Sequence, residues 1–129
     1  MTAPAASTHV RGAAGEARAA EFLCRNGWQV LARNFRTRSG EIDIIASRGE
    51  VIAFVEVKSW AVLPAEDLEH SIDRRKQQRI VRTARAFLAG KRDLADRRLR
   101  LDVVFLGRGP DDIRHIEDAF GGGIDSWYG

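Results

Sequence analysis

Two apolar, β-branched segments separated by four residues decide the fold of this chain. Residues 41–46 read EIDIIA, residues 51–58 read VIAFVEVK, and the four residues between them read SRGE. β-Branched residues favour strands, and a short Gly-containing connection favours a turn, so the two segments predict a β-hairpin. Because the second segment is apolar at nearly every position, we expect helices to cover both faces of its sheet.

The segments on either side of the hairpin predict further helices and strands. Residues 12–26 are rich in Ala, Glu, Arg and Leu and end before a glycine, which is typical of a helix with its C-terminal cap. A second helix is predicted over residues 70–89, and further strands over residues 28–35, 100–106 and, weakly at an edge, 113–117. The order α-β-β-β-α-β predicts an α/β protein with a mixed central sheet, because the second helix would connect parallel strands.

Length and composition predict one domain. The chain has 129 residues, which suits a single hydrophobic core. We expect a disordered N-terminal lead over residues 1–10, a single domain over residues 11–119 and a Gly-rich tail over residues 120–129. A single cysteine, Cys24, excludes an intramolecular disulfide and favours a reducing cytoplasm. No apolar run approaches the roughly 20 residues of a membrane helix, and no signal peptide is recognisable, so no membrane association is expected.

Ionisable residues within the hairpin are the strongest indication of function. Asp43, Glu56 and Lys58 lie inside otherwise apolar strands, where a charge is costly unless it is paired, hydrated or bound to a metal. If residues 48–49 form the turn, Asp43 pairs with Phe54 and lies diagonal to Glu56, about 7–8 Å away on the same face as Lys58. Two carboxylates suit Mg²⁺ or Mn²⁺, and a lysine beside them suits phosphodiester hydrolysis.

A purely structural interpretation of these residues stays open. Lys58 could simply form an ion pair with Asp43 or Glu56 at the end of the sheet. A shift of one residue in strand register would also move Asp43 to the opposite face, and the proposed pair of carboxylates would be lost.

The charge of the chain is unevenly distributed. The formal net charge is +3, but residues 70–101 hold 11 basic and three acidic residues, an excess of +8 that leaves −5 for the remainder. Such a basic segment predicts a polyanion-binding surface, with a solvated helix face as the alternative. The arginines with helical spacing or a position just before Asp43 are expected to contact phosphates without reading sequence: Arg75, Arg79 and Arg82, and Arg36 and Arg38.

Several motifs together resemble the bacterial YraN-like family (UPF0102). They are Gly15-Glu16, Asn34-Phe35-Arg36, residues 40–46, residues 54–58, Lys76-Gln77 and residues 100–104, in the family's order and spacing. This family is similar to archaeal Holliday-junction resolvases and to the PD-(D/E)xK superfamily. The resemblance implies a restriction-endonuclease-like fold, a metal-dependent endonuclease acting on DNA, with branched or structured DNA as a substrate, and a homodimer.

The resemblance also implies roles for individual residues. It makes Asp43 and Glu56 metal ligands, the carbonyl of Val57 a further ligand and Lys58 the catalytic lysine. Resolvase-like proteins carry a glutamate 11 residues before the glycine that ends the first helix, and this count from Gly27 reaches Glu16. The alternative in the same helix is Glu21.

The remaining polar residues have two interpretations each. Glu41 is either a supporting acid of the site or a partner for Arg36 or Arg38. Lys76 lies on the apolar line of its helix, so it and Gln77 either support the site or touch a phosphate; the alternative is that Lys76 only extends its charge to solvent. Trp60 stands where related sequences often have a basic residue. This departure motivates the alternative of a non-catalytic nucleic-acid-binding module on a nuclease-like fold.

Overall fold

The computed structural model of the chain describes residues 12–59 and 74–119. Two α-helices, five strands and a short 3₁₀ helix follow in this order: α1 (Gly12–Arg25), β1 (Gln29–Thr37), β2 (Gly40–Arg48), β3 (Val51–Ser59), α2 (Arg74–Leu88), the 3₁₀ helix (Arg92–Leu94), β4 (Arg98–Leu106) and β5 (Ile113–Ile116). The predicted lead, the Gly-rich tail and Trp60 lie outside the described residues. No helix in the described ranges is long and apolar enough to span a membrane.

The five strands form one mixed sheet in the order β1-β2-β3-β4-β5. Strands β3 and β4 are parallel, and every other neighbouring pair is antiparallel. Helix α2 lies in the connection between the two parallel strands, which need a crossover longer than a hairpin turn. The predicted α/β class, the mixed sheet and the edge position of the last strand are confirmed, and the architecture is consistent with a restriction-endonuclease-like fold.

Two hydrophobic cores lie on opposite faces of the sheet. On one face, α1 packs Ala19 and Leu23 against alternate residues of β3 such as Val55. On the other face, α2 packs Ile80 and Phe87 against the intervening residues of the sheet. The apolar residues of β3 therefore find apolar neighbours on both faces of the sheet, which confirms the expectation that helices cover both faces.

The predicted position of the hairpin turn is wrong by one residue. Arg48 pairs with Val51, so the turn consists of Gly49 and Glu50 instead of residues 48 and 49. Gly49 has φ +60°, a left-handed conformation that glycine adopts without steric cost, and this locates the turn. The register moves by two positions, and an even shift keeps the paired side chains of β2 and β3 on the faces that the predicted register gives them.

The regular alternation of side chains is interrupted near the middle of β1 and β2. Asn34 has φ +51°, and the strand positions opposite it are irregular: Ile44 packs in the core beneath α1, whereas Ile42 packs in the core beneath α2. Strand β1 also changes register between Val30 and Ala32, so these two residues do not share a face as alternate residues of a regular strand would. The irregular region surrounds the position of Asp43.

A buried polar network joins β4, β5 and the turn that follows. Asp102 is completely buried and accepts hydrogen bonds from the Arg100 guanidinium at 2.9 and 3.2 Å and from the Asp118 N–H at 3.0 Å. The His115 Nε2 atom lies 2.8 Å from the same carboxylate. Burial by itself raises the pKa of Asp102, but these donors and the charge of Arg100 outweigh it and lower the pKa below its ordinary value.

We predict that Asp102→Asn destabilises the protein by about 3 kcal/mol at pH 7, because the mostly buried Arg100 then loses its nearest counter-charge and keeps only the more distant Glu117. An aspartate with a lowered folded-state pKa stabilises the fold above its unfolded pKa, near 4, and this contribution disappears as the pH falls through the folded pKa. Urea unfolding should therefore show a difference in the free energy of unfolding between wild type and variant that is smaller at pH 3.5 than at pH 7. The exposed Asp96→Asn variant is the control, and an Asp102→Asn gap independent of pH would contradict this account.

Candidate active site

Asp43, Glu56 and Lys58 meet where the pairing between β2 and β3 ends. All three are buried, with exposed fractions of 1%, 3% and 2%. The last backbone-paired residues of the two strands are Ile44 and Val55, one step before Asp43 and Glu56. Beyond that point the Val57 N–H donates to Asp43 Oδ2 at 2.8 Å, so a side chain replaces a backbone carbonyl as its acceptor.

Glu56 lies at the centre of a group of charged side chains. Its Oε2 atom is 2.6 Å from Lys76 Nζ and 3.7 Å from Lys58 Nζ. The carboxyl group of Asp43 lies beside that of Glu56, and the two can share a hydrogen bond when one of them is protonated. One carboxylate thus binds two ammonium groups and a second carboxyl group. The structure brings Asp43, Glu56 and Lys58 together, although Phe54 pairs with Ile45 and not, as predicted, with Asp43. Lys76 joins them from α2.

The surroundings of Asp43 favour its neutral form. Burial first, and then the negative charge of Glu56, raise its pKa to about 8. The hydrogen bond with Glu56 and the more distant charge of Glu16 act in the same direction, whereas the Val57 N–H opposes them. Two acids this close in the interior therefore share a site that holds one negative charge more easily than two.

The two lysines are in different electrostatic situations. Burial lowers the pKa of Lys58, against the opposing effect of the Glu56 charge. Burial acts in the same direction on Lys76, but there the charge and hydrogen bond of Glu56 outweigh it and raise the pKa. Lys58 is therefore the more easily deprotonated of the two lysines. A lysine can accept a proton only when it is deprotonated, so Lys58 is the better suited to that task.

A pocket of about 110 Å³ connects the carboxylates to the surface. Its lining residues come from β2, β3 and α2: Gly40, Glu41, Asp43, Glu56, Lys76, Arg79 and Ile80. Helix α2 sits closely on the β1–β2 turn, where a Cβ atom added to Gly40 would lie 3.3 Å from Thr83 Oγ1. This close approach holds Lys76 and Arg79 over the pocket.

Glu16 faces the interior, as the sequence predicts, and Glu21 does not. Glu16 is 4% exposed and accepts a hydrogen bond from Asn34 Nδ2 at 2.9 Å. The Arg33 Nε atom lies 3.4 Å from the same carboxylate. Glu21 is exposed and pairs with Arg25 at 2.9 Å on the surface of α1.

Sequence reasoning missed the part played by Asn34 and Arg33. Asn34 appeared only within a motif, and no role was assigned to Arg33. The available signal was an asparagine inside a predicted strand, since asparagine tolerates the left-handed backbone conformation that is observed there. That conformation accompanies the hydrogen bond from its amide to Glu16.

The predicted phosphate-binding arginines are exposed, and those of α2 border two different concavities. Arg79 lines the pocket of the carboxylates. Arg82 instead lines a groove of about 440 Å³ on the outer side of α2, and Gln77 lines the same groove. Arg75 is exposed nearby on α2.

The end of β1 and the β1–β2 turn carry two further predicted arginines. Arg36 and Arg38 are both exposed. Arg36 Nε lies 3.0 Å from Glu41 Oε2, so Glu41 is a partner of Arg36, one of the two predicted alternatives.

The donor set fits a small divalent cation. Within the described ranges, no three His, Cys, Asp or Glu side chains converge on one position. Mg²⁺ typically uses one or two carboxylates and completes its coordination with water and substrate phosphate, so Asp43 and Glu56 are sufficient. Because the N–H and C=O of a strand residue point to the same neighbouring strand, the carbonyl of Val57 points toward Asp43 as well. Glu16 would then act from outside the set of direct ligands.

The sheet topology and this group of residues define an α/β protein of restriction-endonuclease-like architecture with a buried acidic site. Residues 15–106 match the uncharacterised protein family UPF0102, and the chain belongs to that family. It is similar to the UPF0102 protein of Treponema denticola, with 40% identity over 122 residues covering 85% of this chain and 94% of the relative. The UPF0102 protein of Methylorubrum populi is 47% identical over 116 residues, covering 88% and 89%.

We predict that Asp43→Asn stabilises the metal-free protein, increasingly so at high pH. An acid with a raised folded-state pKa stabilises the fold below its unfolded pKa, and the contribution is lost as the pH rises through the folded value of about 8. The asparagine carbonyl can still accept the Val57 N–H. Since one pKa unit corresponds to about 1.36 kcal/mol, the gain at pH 9 should be about 2 kcal/mol or more.

Urea unfolding at pH 5, 7 and 9 in the presence of a chelator measures this gain. Glu21→Gln, which neutralises an exposed acid, is the matched control and should follow wild type at each pH. A destabilised Asp43→Asn variant would show instead that the carboxylate serves the fold as an ion-pair partner.

Proposed function

We propose that this protein is a divalent-metal-dependent endonuclease that hydrolyses phosphodiester bonds in DNA, with branched or otherwise structured DNA as its substrate. One observation carries the proposal. Two buried carboxylates, Asp43 and Glu56, meet beside Lys58 at a pocket that opens to the surface. Burying like charges together destabilises a fold, and a bound cation is the simplest reason to keep them there.

Asp43, Glu56 and the carbonyl of Val57 would hold Mg²⁺ or Mn²⁺. When bound, the ion supplies Lewis-acid activation of the phosphate and of the attacking water. Lys58 is the group proposed to accept the proton of that water, because burial lowers its pKa. Glu16 is proposed to assist from the α1 side, where it holds Asn34.

Arginines around the pocket would hold the DNA backbone. Arg36, Arg38, Arg75, Arg79 and Arg82 are exposed on the β1–β2 turn and on α2. Such contacts bind phosphates of any sequence and position the strand over the carboxylates. Lys76 and Gln77 belong to the same helix, and Glu41 keeps the Arg36 guanidinium beside the pocket.

The resemblance to the PD-(D/E)xK superfamily and to archaeal resolvases supports this assignment and adds two further proposals. The first is a homodimer, which size-exclusion chromatography with light scattering would test. The second is a cytoplasmic location, in keeping with a free, exposed Cys24.

A non-catalytic nucleic-acid-binding module is the second candidate. Its specific support is that Glu56 already has two ammonium partners, Lys58 and Lys76, so its charge is compensated by the protein alone. A fold does not by itself establish an activity. This candidate predicts DNA binding without a metal requirement and without cleavage.

Cleavage assays on a panel of nucleic acids distinguish the two candidates. Labelled four-way junctions, flaps, duplexes, single strands and RNA are incubated with wild type in Mg²⁺ or Mn²⁺. We expect cleavage that a chelator abolishes, that Asp43→Ala and Glu56→Ala reduce to background, and that Lys58→Ala reduces by about 10²–10⁴-fold.

Asp96→Ala, an exposed acid distant from the pocket, is the control and should cleave at the wild-type rate. Cleavage that persists in both Asp43→Ala and Glu56→Ala would refute the assignment of the site. Metal-independent binding of junctions without any cleavage would favour the second candidate.

Binding measured against salt concentration tests the proposed DNA surface separately. Each phosphate contact releases counterions, so Arg79→Ala should weaken binding to all DNA sequences. It should also reduce, by about 1, the slope of the logarithm of the binding constant against the logarithm of salt concentration. Arg92→Ala removes an exposed arginine of the same basic segment outside α2 and is the control. Equal effects of the two substitutions would show that overall charge, and not the surface of α2, determines binding.

A further inference from the structure

Lys76 and Lys58 contact the same oxygen of Glu56, but only one of them is exposed to solvent. Lys76 Nζ lies 2.6 Å from Glu56 Oε2, and 30% of its side chain is exposed. Lys58 Nζ lies 3.7 Å from that oxygen, with 2% exposed. The shorter ion pair is therefore made by the lysine that lines the pocket.

The Lys76 ammonium lies where it competes with a divalent cation for Glu56. Mg²⁺ binds carboxylate oxygens at about 2.0–2.1 Å, which places the ion against the same side-chain oxygens. An ammonium held within hydrogen-bonding distance of one of these oxygens would then contact a doubly charged ion. The two cations would repel each other in this buried site, and the repulsion favours displacement of the ammonium, which is the more mobile of the two charges.

The side chain of Lys76 on α2 has room to move, whereas that of Lys58 on β3 does not. Lys76 has a flexible four-carbon stem, and its neighbour at the pocket three residues later is Arg79. Ile80 anchors the same turn of α2 in the core, so the side chain can shift while the backbone stays in place. Lys58 is enclosed within the sheet.

We propose that Lys76 is a built-in counter-ion for Glu56 in the metal-free protein. A divalent cation displaces it from Glu56 toward the mouth of the pocket, where its ammonium contacts a substrate phosphate together with Arg79. This inference rests on the proposed metal-dependent function. It explains why Glu56 tolerates burial before metal arrives, since an uncompensated buried carboxylate is costly. It also assigns the two lysines different tasks, with Lys58 fixed beside the reacting groups and Lys76 exchanging between carboxylate and phosphate.

Lysine labelling tests the displacement directly. The chain contains three lysines, Lys58, Lys76 and Lys91. Wild type is treated with an amine-reactive reagent at constant pH, with and without saturating Mn²⁺, and labelling is quantified by mass spectrometry. We expect Mn²⁺ to raise the labelling of Lys76 severalfold, while the exposed Lys91 stays constant and Lys58 stays unlabelled. Unchanged or reduced labelling of Lys76 would overturn the proposal.

Mn²⁺ affinity gives a second readout that does not depend on activity. Binding of Mn²⁺ alone is measured by electron paramagnetic resonance for wild type, Lys76→Gln, Lys76→Met and Lys91→Gln. Removing the competing ammonium should tighten binding about tenfold in both Lys76 variants, which corresponds to about 1.4 kcal/mol. Lys91→Gln removes the same charge at a distant exposed position and should bind like wild type.

These outcomes separate the inference from the proposed function. If wild type binds Mn²⁺ and cleaves DNA but the Lys76 variants bind Mn²⁺ no more tightly than Lys91→Gln, the counter-ion role is wrong and the metal-dependent function stands. If none of the four proteins binds Mn²⁺, both fail. Lys76→Met keeps most of the side-chain volume, and circular dichroism of each variant verifies that the fold is retained.

Discussion

The hydrogen bond from the Val57 N–H to Asp43 Oδ2 is the constraint on which the candidate site depends. A carboxylate takes the place of a backbone acceptor here, so the backbone pairing of β2 with β3 ends at Ile44 and Val55, before it reaches Asp43 and Glu56. The same bond fixes the carboxyl group of Asp43 beside Glu56. The departure from regular pairing and the pocket therefore occur at the same residues.

The site is also a balance of charges contributed by several elements. Asp43 comes from β2, Glu56 and Lys58 from β3, and Lys76 from α2, so the arrangement exists only when α2 is packed on the sheet. Glu16 adds a further buried charge from α1 and is held by Asn34. The two faces of the sheet thus both influence one group of residues, while the separate network around Asp102 secures β4 and β5.

Much of the fold was predictable because local patterns and tertiary structure agree. The apolar runs of β2 and β3 and the helical stripes of α1 and α2 each require burial on a definite side, which leaves few arrangements. The turn was placed one residue early, since the pattern around Gly49 allows two positions and only the left-handed glycine selects one. The even shift in register preserved the faces, so the grouping of Asp43 with Glu56 was still correct.

The sequence by itself determined the α/β class, the mixed sheet, the inward face of α1 and the positions of the acids and of Lys58 along their strands, because each follows from periodicities of two or 3.6 residues. Only the tertiary structure decided that Lys76 reaches Glu56 and that Asn34 reaches Glu16. It also decided that Arg79 and Arg82 line different concavities. These contacts join elements distant in the chain, and no local pattern specifies the distance between two side chains brought together by packing.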